Sequence, residues 1–289
     1  MLRVLGIGDN TVDIYVDQDV QFPGGNAVNV AVMMKRLGAE ASYLGCIGTD
    51  FLGDMIKNAL RAEGIDMSHL RVIPGPNSWS RIRHRGQDRV FDGSHPNFRD
   101  DYRLADTDFG FIAAHDLAHS SVYSGLEDEL GRIGEAAPML SFDYSSEYTD
   151  EYIARTAPHL DIAFLSDAHG GADQCAALAR RVASHGPRIV VITRGGKGAL
   201  ALQANTIFEQ PVSPAHLVDT LGAGDGFIAA FLFATLKGET IEAALRKGAE
   251  YAAHVCTYRG AFGYETSIRP GQPGLAKPAQ TAKSERKSR

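Results

Sequence analysis

The chain has 289 residues, 44% of them hydrophobic, so it can bury the core of one large α/β domain or two smaller ones. Its formal net charge of −6 excludes general nucleic-acid binding, because that function needs a basic surface to displace counterions from phosphates. The three cysteines, Cys46, Cys175 and Cys256, lack metal-ligand spacing and favour a reduced cytoplasmic protein.

Strand-like apolar runs alternate with helix-like segments along most of the chain, which predicts a mostly parallel sheet covered on both faces. The first run is too short to cross a membrane, and no membrane partner is expected. In chain order we predict a strand at 4–8, a helix at 26–37, a strand at 42–47, a helix at 53–63, strands at 117–121, 139–143, 162–165 and 189–193, and a buried helix at 226–236.

One stretch departs from this alternation. Residues 78–92 alternate polar and apolar side chains around a Gly-Gln-Asp turn, which is typical of an antiparallel hairpin. With a second such element after the first strand, we predict a small lid sheet from strands near 12–22 and 78–95, standing over a cleft. We predict one α/β domain over 1–270, and the charged, apolar-poor segment 271–289 is predicted to be a disordered tail.

The segment DTLGAGD, residues 219–225, directly precedes the predicted buried helix. Its small residues let the backbone turn tightly, and the helix start directs unpaired N–H groups and the positive dipole end at the turn. Such a turn can hold the charge of a transferring phosphoryl group, with Asp225 as a base for a hydroxyl. From spacing alone, a helix cap at Asp225 is an equally good interpretation.

This segment matches every fixed position of the DTxGAGD signature of the ribokinase-like (PfkB-type) carbohydrate kinases, and the chain resembles that family from about residue 2 to 263. The resemblance implies an α/β three-layer sandwich with a central, mostly parallel sheet and a small β-sheet lid. It implies an ATP-dependent phosphotransferase, with Gly222, Ala223 and Gly224 as the anion hole and Asp225 as the catalytic base.

A second motif, GGNAVNVA at 24–31, is explained equally well as a loop entering a helix with a capping Asn. It also resembles the amino-terminal sugar-binding signature of the family. Family members keep an Asp after the first strand that binds two sugar hydroxyls, and Asp13 occupies that place here. The resemblance therefore assigns the following residues to the acceptor: Asp9, Asp13, Gly24, Gly25, Asn26 and Asn29.

The segment VVITRGGKGA, residues 190–199, resembles the strand-to-loop segment that lies along ATP in the family. It is not a Walker loop, because a glycine stands where that motif needs Ser or Thr. For Arg194, an exposed loop position is the alternative to a phosphate contact. The implied ATP contacts are Thr193, Arg194, Gly195 and Gly198.

The chain departs from the family after the strand at 162–165. Family members commonly carry Asn-x-x-Glu there, linked to magnesium, whereas this chain has Ser-Asp-Ala-His, in which Asp167 is an oxygen donor. We assign no protein residue as a metal ligand and expect Mg²⁺ to enter with ATP; a monovalent cation such as K⁺ is a further cofactor compatible with the resemblance. His115 and His119 flank a predicted strand, so they receive no metal role.

Within the family, the strings GDNTVDIY (8–15), GGNAVNVAV (24–32) and DRVF (88–91) resemble the fructoselysine 6-kinases. That acceptor combines a ketose with a charged amino-acid tail. Arg89 or Arg83, on the predicted lid, is a candidate partner for the tail carboxylate, and an exposed strand position is at least as good an interpretation.

Two alternatives stay open at this point. The chain can be another PfkB-type kinase, for ribose, fructose or a ketodeoxy acid, or a non-catalytic sugar- or nucleotide-binding regulator that keeps the fold. In either kinase interpretation the partner is a small sugar or sugar-amine substrate, and no nucleic-acid partner is expected. A homodimer formed through the lid is compatible with the resemblance.

Overall fold

Strands and helices alternate along most of the chain, as the hydrophobic pattern predicts. The computed structural model describes residues 1–85, 88–96 and 102–275, and at 84, 85, 88 and 89 only the backbone. The first elements are β1 (Arg3–Gly8), β2 (Thr11–Tyr15), β3 (Val20–Gly24), α1 (Asn26–Arg36), β4 (Glu40–Gly48), α2 (Phe51–Ala62), β5 (Arg71–Ile73), β6 (Trp79–Arg85) and β7 (Asp88–His95). They are followed by α3 (Asp106–Ala113), β8 (Leu117–Ser121), α4 (Leu130–Ala136), β9 (Leu140–Asp143), α5 (Asp150–Thr156), β10 (Ile162–Ser166), α6 (Ala172–Ala183), β11 (Ile189–Thr193), β12 (Ala199–Gln203), β13 (Thr206–Gln210), α7 (Ala223–Leu236), α8 (Ile241–Val255) and β14 (Thr266–Ser267).

The main sheet has nine strands in the order β13-β12-β11-β10-β9-β8-β1-β4-β5. All pairs from β11 to β5 are parallel, whereas β12 and β13 add an antiparallel edge. In β11, Ile189 and Val191 pack on one face with α1, α2, α7 and α8, and Val190 and Ile192 pack on the other with α3 to α6. A strand that is apolar on both sides requires helices on both faces. The predicted three-layer α/β sandwich is confirmed.

A second sheet of five strands, in the order β14-β3-β2-β6-β7, stands beside the main one. It contains both predicted lid segments, and its pairs are antiparallel except for β2 with β6. Tyr15, Phe22, Ile82 and Leu221 form a small buried cluster on this sheet. Leu221 belongs to the DTLGAGD turn, so that turn packs into the lid sheet.

Packed chain continues past the predicted domain boundary at 270. The strand β14 pairs with β3, and Leu275 packs against the main core. A Cβ on Gly274 would lie 2.7 Å from Ile14, so this stretch runs close against the lid sheet. The first residues of the predicted tail therefore belong to the fold, and 276–289 lie outside the described residues.

The helix predicted at 226–236 begins three residues earlier, at Ala223. The apolar pattern starts only at Gly226, because the first turn is built from small residues and Asp225 and has no apolar period. Asp225 consequently lies inside the first helical turn. In the part of the chain that is described, no helix combines the length and the apolar character that a bilayer crossing requires.

Candidate active site

A cavity of about 950 Å³ opens at the carboxyl ends of the parallel strands, between the main sheet and the lid sheet. Side chains from different strands converge at such an edge, which is where α/β sheets bind ligands. Among the residues assigned from the sequence, these line the cavity: Asp9, Asp13, Gly25, Asn26, Asn29, Thr193, Gly224 and Asp225. These others lie outside its lining: Gly24, Gly222, Ala223, Arg194, Gly195 and Gly198.

Asp225 is held by two amides from the facing helix. Its Oδ1 accepts a hydrogen bond of 2.8 Å from Nδ2 of Asn26, and its Oδ2 accepts one of 2.6 Å from Nδ2 of Asn29. Both asparagines are on α1, so the starts of α1 and α7 face each other across the cavity. An ionised carboxylate held in this way can accept a proton from a hydroxyl placed beside it.

The turn before α7 is shaped by its glycines. Gly222 has φ +77°, and a Cβ there would lie 2.5 Å from Cβ of Ala261, so only glycine fits. At Gly224 no atom lies within 4 Å of a Cβ position, and this residue lines the cavity. Because the first N–H groups of a helix have no partner within the helix, this open start can receive an anion.

The glycines before α1 have a spatial function. A Cβ on Gly24 would lie 2.3 Å from Oδ2 of Asp13, so any side chain there would displace the Asp13 carboxylate. Gly25 has φ +106°, and a Cβ there would lie 2.5 Å from Cα of Asn10. Asp13 is only 4% exposed and lines the cavity from β2. Gly24 therefore makes room for a site carboxylate and does not itself line the cavity.

Asp9 caps a helix, which differs from its predicted role as a sugar ligand. Its carboxylate accepts hydrogen bonds from the backbone N–H groups of Asn26 at 2.6 Å and Ala27 at 3.3 Å. It also accepts from the hydroxyls of Ser121 at 2.8 Å and Ser124 at 3.0 Å. Four donors occupy this carboxylate, so its role in the structure is to fix the start of α1.

Asn29 carries a polar atom that needs a ligand. Its side chain is 4% exposed and lines the cavity, and its Oδ1 is buried with no hydrogen-bond partner among the described residues. A buried acceptor without a donor costs about 1–3 kcal/mol, which a ligand hydroxyl or ammonium group can recover. Asn29 therefore binds Asp225 through its Nδ2 and has its Oδ1 available to accept a hydrogen bond from a ligand in the cavity.

Sequence reasoning missed Asp143 and assigned no role to His119. The Oδ2 of Asp143 accepts a hydrogen bond of 2.9 Å from Nδ2 of Asn26, the amide that also binds Asp225. Burial, together with repulsion from Asp225 and Asp9, raises the pKa of Asp143 to about 7. His119 lies behind Asn26, with Nε2 2.9 Å from its Oδ1. The signals available in the sequence were an aspartate at the end of one predicted strand and a histidine in the middle of another.

In the segment assigned to ATP, residues 193–198, only Thr193 lines the cavity, and the residues after it form the turn between β11 and β12. Thr193 lines the cavity at the end of β11. Arg194 is only 7% exposed, and its guanidinium donates a 3.0 Å hydrogen bond to Glu209 on β13. Arg194 is thus a buried guanidinium paired with the exposed carboxylate of Glu209, which differs from the exposed loop position weighed from the sequence, and it does not line the cavity.

The glycines of this segment shape the turn between β11 and β12. Gly195 begins a short 3₁₀ turn at Gly195–Lys197, and Gly198 has φ +89° with the carbonyl of Gln210 2.1 Å from its Cβ position. Only glycine fits at Gly198, so its contribution is to the backbone path.

The lid arginines differ in what the structure describes. The guanidinium of Arg83 donates a 2.6 Å hydrogen bond to Asp92 on the neighbouring strand, so it is already paired. Arg89 lies on β7 in register with His84, but its side chain lies outside the described part of the chain.

Asp167 also has a local function. Its Oδ1 accepts hydrogen bonds from the N–H groups of Gly170 at 2.7 Å and His169 at 3.2 Å, which closes the turn before α6. Within the described residues, no group of three or more His, Cys, Asp or Glu side chains is arranged to hold a metal ion.

The comparison with protein families decides the class of the molecule. The model described as pfkB family carbohydrate kinase matches residues 3–119 and 143–266. This chain belongs to the pfkB family of carbohydrate kinases.

This pfkB-family kinase is similar over most of its length to characterised relatives. It is 40% identical to "Fructosamine kinase FrlD" of Bacillus subtilis (strain 168), over 91% of this chain and 94% of that protein. It is 32% identical to "Fructoselysine 6-kinase" of Escherichia coli (strain K12), over 91% of this chain and 100% of that protein.

Solved structures share its fold at lower identity. The ribokinase of Arabidopsis thaliana, complexed with ribose and ATP, has a TM-score of 0.79 at 19% identity and covers 90% of this kinase and 94% of the ribokinase. A putative ribokinase II of E. coli, in complex with ATP and Mg²⁺, has a TM-score of 0.74 at 20% identity, over 91% and 95% of the two chains. The ribokinase fold expected from the sequence is confirmed.

Proposed function

We propose that this kinase transfers the γ-phosphoryl group of ATP to a hydroxyl of a sugar–amine adduct, with the 6-hydroxyl of fructoselysine as the acceptor. One observation carries the proposal: Asp225, at the start of α7, shares a cavity with Asp13 from the lid strand β2. A base and a carboxylate able to bind hydroxyls therefore face the same space. The fructosamine kinase and fructoselysine 6-kinase relatives support the acceptor class.

The transfer step assigns one role to each part of the site. The acceptor oxygen attacks the γ-phosphorus, the new O–P bond forms as the bond to the bridging oxygen of ADP breaks, and Asp225 takes the hydroxyl proton. The open start of α7 at Gly224 lies next to Asp225, where its N–H groups can stabilise charge on the phosphoryl oxygens. Asp13 orients the acceptor by accepting its hydroxyl hydrogens.

The cavity fits the nucleotide cofactor. Its volume of about 950 Å³ is enough for ATP and a sugar together, and Thr193, Ser166 and Gly224 line one part of it. Since the described residues form no dedicated metal cluster, we propose that Mg²⁺ enters with ATP and keeps several waters. When bound, Mg²⁺ neutralises phosphate charge. The ribokinase II complex with ATP and Mg²⁺ supports both cofactors.

The charge of the cavity favours an acceptor with an amine. The described lining includes no lysine or arginine. It contains five acidic residues: Asp9, Asp13, Asp143, Glu147 and Asp225. A protonated secondary amine, as in fructoselysine, gains electrostatic energy in such a cavity, whereas a neutral sugar does not. Arg89 remains the proposed partner for the carboxylate of the amino-acid tail.

A substrate panel tests the proposal. ATP consumption should be measured with fructoselysine, glucoselysine, 1-deoxyfructose, fructose, ribose and a ketodeoxy acid. 1-Deoxyfructose is the matched control, because it keeps the ring and the 6-hydroxyl but lacks the amine. We expect kcat/KM to be at least about tenfold higher for fructoselysine, which corresponds to about 1.4 kcal/mol.

The other outcomes identify the alternatives. A kcat/KM for a free sugar that equals or exceeds that for fructoselysine would indicate a different sugar kinase. Binding of sugar or nucleotide with no ATP consumption for any acceptor would indicate a regulator. The Asp225 carboxylate, held in place by two amides, favours catalysis over that second outcome.

Three narrower properties complete the proposal. The edge strand β7 carries Phe91, which is 59% exposed, and an exposed apolar side chain on an edge strand supports a homodimer through the lid. Light scattering of wild type and Phe91→Asp tests this.

The three free cysteines support a cytoplasmic location. Activation by K⁺ is tested by replacing it with choline in the assay.

A further inference from the structure

His119 is a buried histidine that the proposed reaction does not use. It is 1% exposed in the middle of β8. Its Nε2 lies 2.9 Å from Oδ1 of Asn26, and its Nδ1 lies 2.8 Å from Oγ of Ser141. Burial lowers the pKa of His119 to about 3, so the ring is neutral at neutral pH and carries a single N–H.

The hydrogen-bond network selects which nitrogen carries that proton. The NH₂ group of Asn26 lies between two carboxylates, so its Oδ1 must be the atom facing the ring. An amide oxygen only accepts, so Nε2 of His119 is the donor and Nδ1 accepts from the Ser141 hydroxyl. That hydroxyl has a second acceptor, the carbonyl of Ala118, at a longer distance of 3.4 Å.

The orientation of the Asn26 amide matters to the base. With the ring as donor, Nδ2 of Asn26 reaches Asp143 at 2.9 Å and Asp225 at 2.8 Å. Rotated by 180°, the amide would place its oxygen against the Asp225 carboxylate, and Asp225 would lose the hydrogen bond from Asn26. The Nε2–H tautomer donates only to the amide oxygen, so the ring acts together with the carboxylates to favour this one orientation of the amide.

We propose that His119 is a positioning residue, which orients the Asn26 amide so that its NH₂ group holds Asp225 in place for proton transfer. The inference rests on the proposed kinase function for its effect on turnover, but the orientation itself is a structural statement. The acidic groups around this amide are Asp143 on β9, Asp225 on α7 and Asp9 after β1.

Two substitutions at one position separate the hydrogen bond from packing. His119→Leu keeps a similar volume but has no donor. His119→Gln places an amide N–H near the position of Nε2. We expect kcat to fall about 10- to 100-fold in His119→Leu and to recover to within about threefold of wild type in His119→Gln, with KM for ATP changed less than about twofold. The acidic limb of the kcat–pH profile should move to higher pH in His119→Leu only.

His115 provides the matched control. It is 3% exposed and also has two hydrogen-bond partners, the carbonyl of Phe111 and Oγ of Ser42, both at 2.8 Å, but neither partner lines the active-site cavity, whereas the Asn26 partner of His119 does. We expect His115→Leu to lose stability while keeping kcat and its pH profile. If kcat falls alike in His119→Leu, His119→Gln and His115→Leu, His119 is only structural and the inference is wrong.

A second measurement is independent of activity. The side-chain NH₂ signal of Asn26 in the NMR spectrum, assigned by its loss in Asn26→Asp, reports the amide directly. We expect it to be unchanged in His119→Gln but shifted and exchanging faster with water in His119→Leu. An unchanged signal in His119→Leu overturns the inference, even if wild type phosphorylates no acceptor and the proposed function itself fails.

Discussion

Tyr15 on the lid strand β2 donates a hydrogen bond of 2.6 Å from its hydroxyl to Oδ2 of Asp219, the first residue of the DTLGAGD turn. The same carboxylate accepts from the N–H groups of Leu221 at 2.9 Å and Gly260 at 3.0 Å. Leu221 packs beside Tyr15 in the buried cluster of the lid. The turn that leads into α7 is therefore attached to the sheet that carries Asp13.

Tyr15→Phe removes the hydroxyl and keeps the ring, so it should weaken the link between acceptor and nucleotide binding. We expect the factor by which an ATP analogue tightens acceptor binding to fall about two- to tenfold, which is within the usual range of coupling free energies. Calorimetric titrations with and without the analogue measure it. Tyr144→Phe is the control, since Tyr144 bonds Thr156 in the opposite core; an equal loss there would mean the effect is general.

Asp225→Asn should remove the proton acceptor while keeping the shape of the side chain. We expect kcat to fall by at least about 10²- to 10⁴-fold, and the Kd for ATP to change less than about threefold. Single-turnover kinetics and calorimetry measure the two quantities. Turnover near the wild-type rate would exclude Asp225 as the base.

Asp13→Asn should impair the acceptor more than the nucleotide. Asp13 lines the cavity from the lid strand, and an amide has only one accepting oxygen, so it cannot accept one hydroxyl hydrogen on each terminal atom as a carboxylate does. We expect KM for the acceptor to rise at least about tenfold, with KM for ATP within about twofold. Equal increases in both would contradict the assignment. Asp13→Ala should give a larger change in the same direction.

Asp143→Asn tests the pH dependence of stability. Burial raises the pKa of Asp143 from 3.8 to about 7, so the folded state keeps this proton up to a higher pH than the unfolded state does. Its stabilising contribution is full below about pH 4 and is lost as the pH rises to about 7.

Asn does not titrate, so between pH 5 and 7.5 the free energy of unfolding of Asp143→Asn should improve relative to wild type by about 1–3 kcal/mol. Urea melts of both proteins at each pH measure this difference. His119 is present in both proteins, so its contribution to the pH dependence of unfolding cancels in this difference. A difference that stays constant with pH would show that Asp143 is already ionised in the folded chain at pH 5.

Arg194→Met separates the two interpretations of that residue. Because its guanidinium pairs with Glu209 at 3.0 Å and does not line the cavity, we expect KM for ATP to change less than about threefold. Because the Glu209 carboxylate is exposed, removing this pair should cost about 1 kcal/mol of stability or less. Glu209→Gln should behave alike. A tenfold rise in KM for ATP at unchanged Tm would instead favour the interpretation that Arg194 contacts a phosphate of ATP.

Much of the fold could be predicted from local patterns. The strands 117–121 and 189–193 match β8 and β11 at both ends; in β11 the reason is that a parallel strand buried on both faces is an almost continuous apolar run. Asp225 and the glycines of its turn were found because the chemistry is concentrated in seven consecutive residues. The start of α7 was placed too late, since its first turn carries no apolar period.

The sequence by itself determined the sandwich and the lid sheet and predicted Asp225 as the candidate base, because each of these depends on patterns of neighbours in the chain. Tertiary structure alone decided that Asp9 caps α1, that Arg194 pairs with Glu209, and that His119 stands behind Asn26, 93 residues away. The physical reason is that a polar side chain takes its role from the donors and charges packed around it. Those come from strands and helices far apart in sequence, which no local pattern specifies.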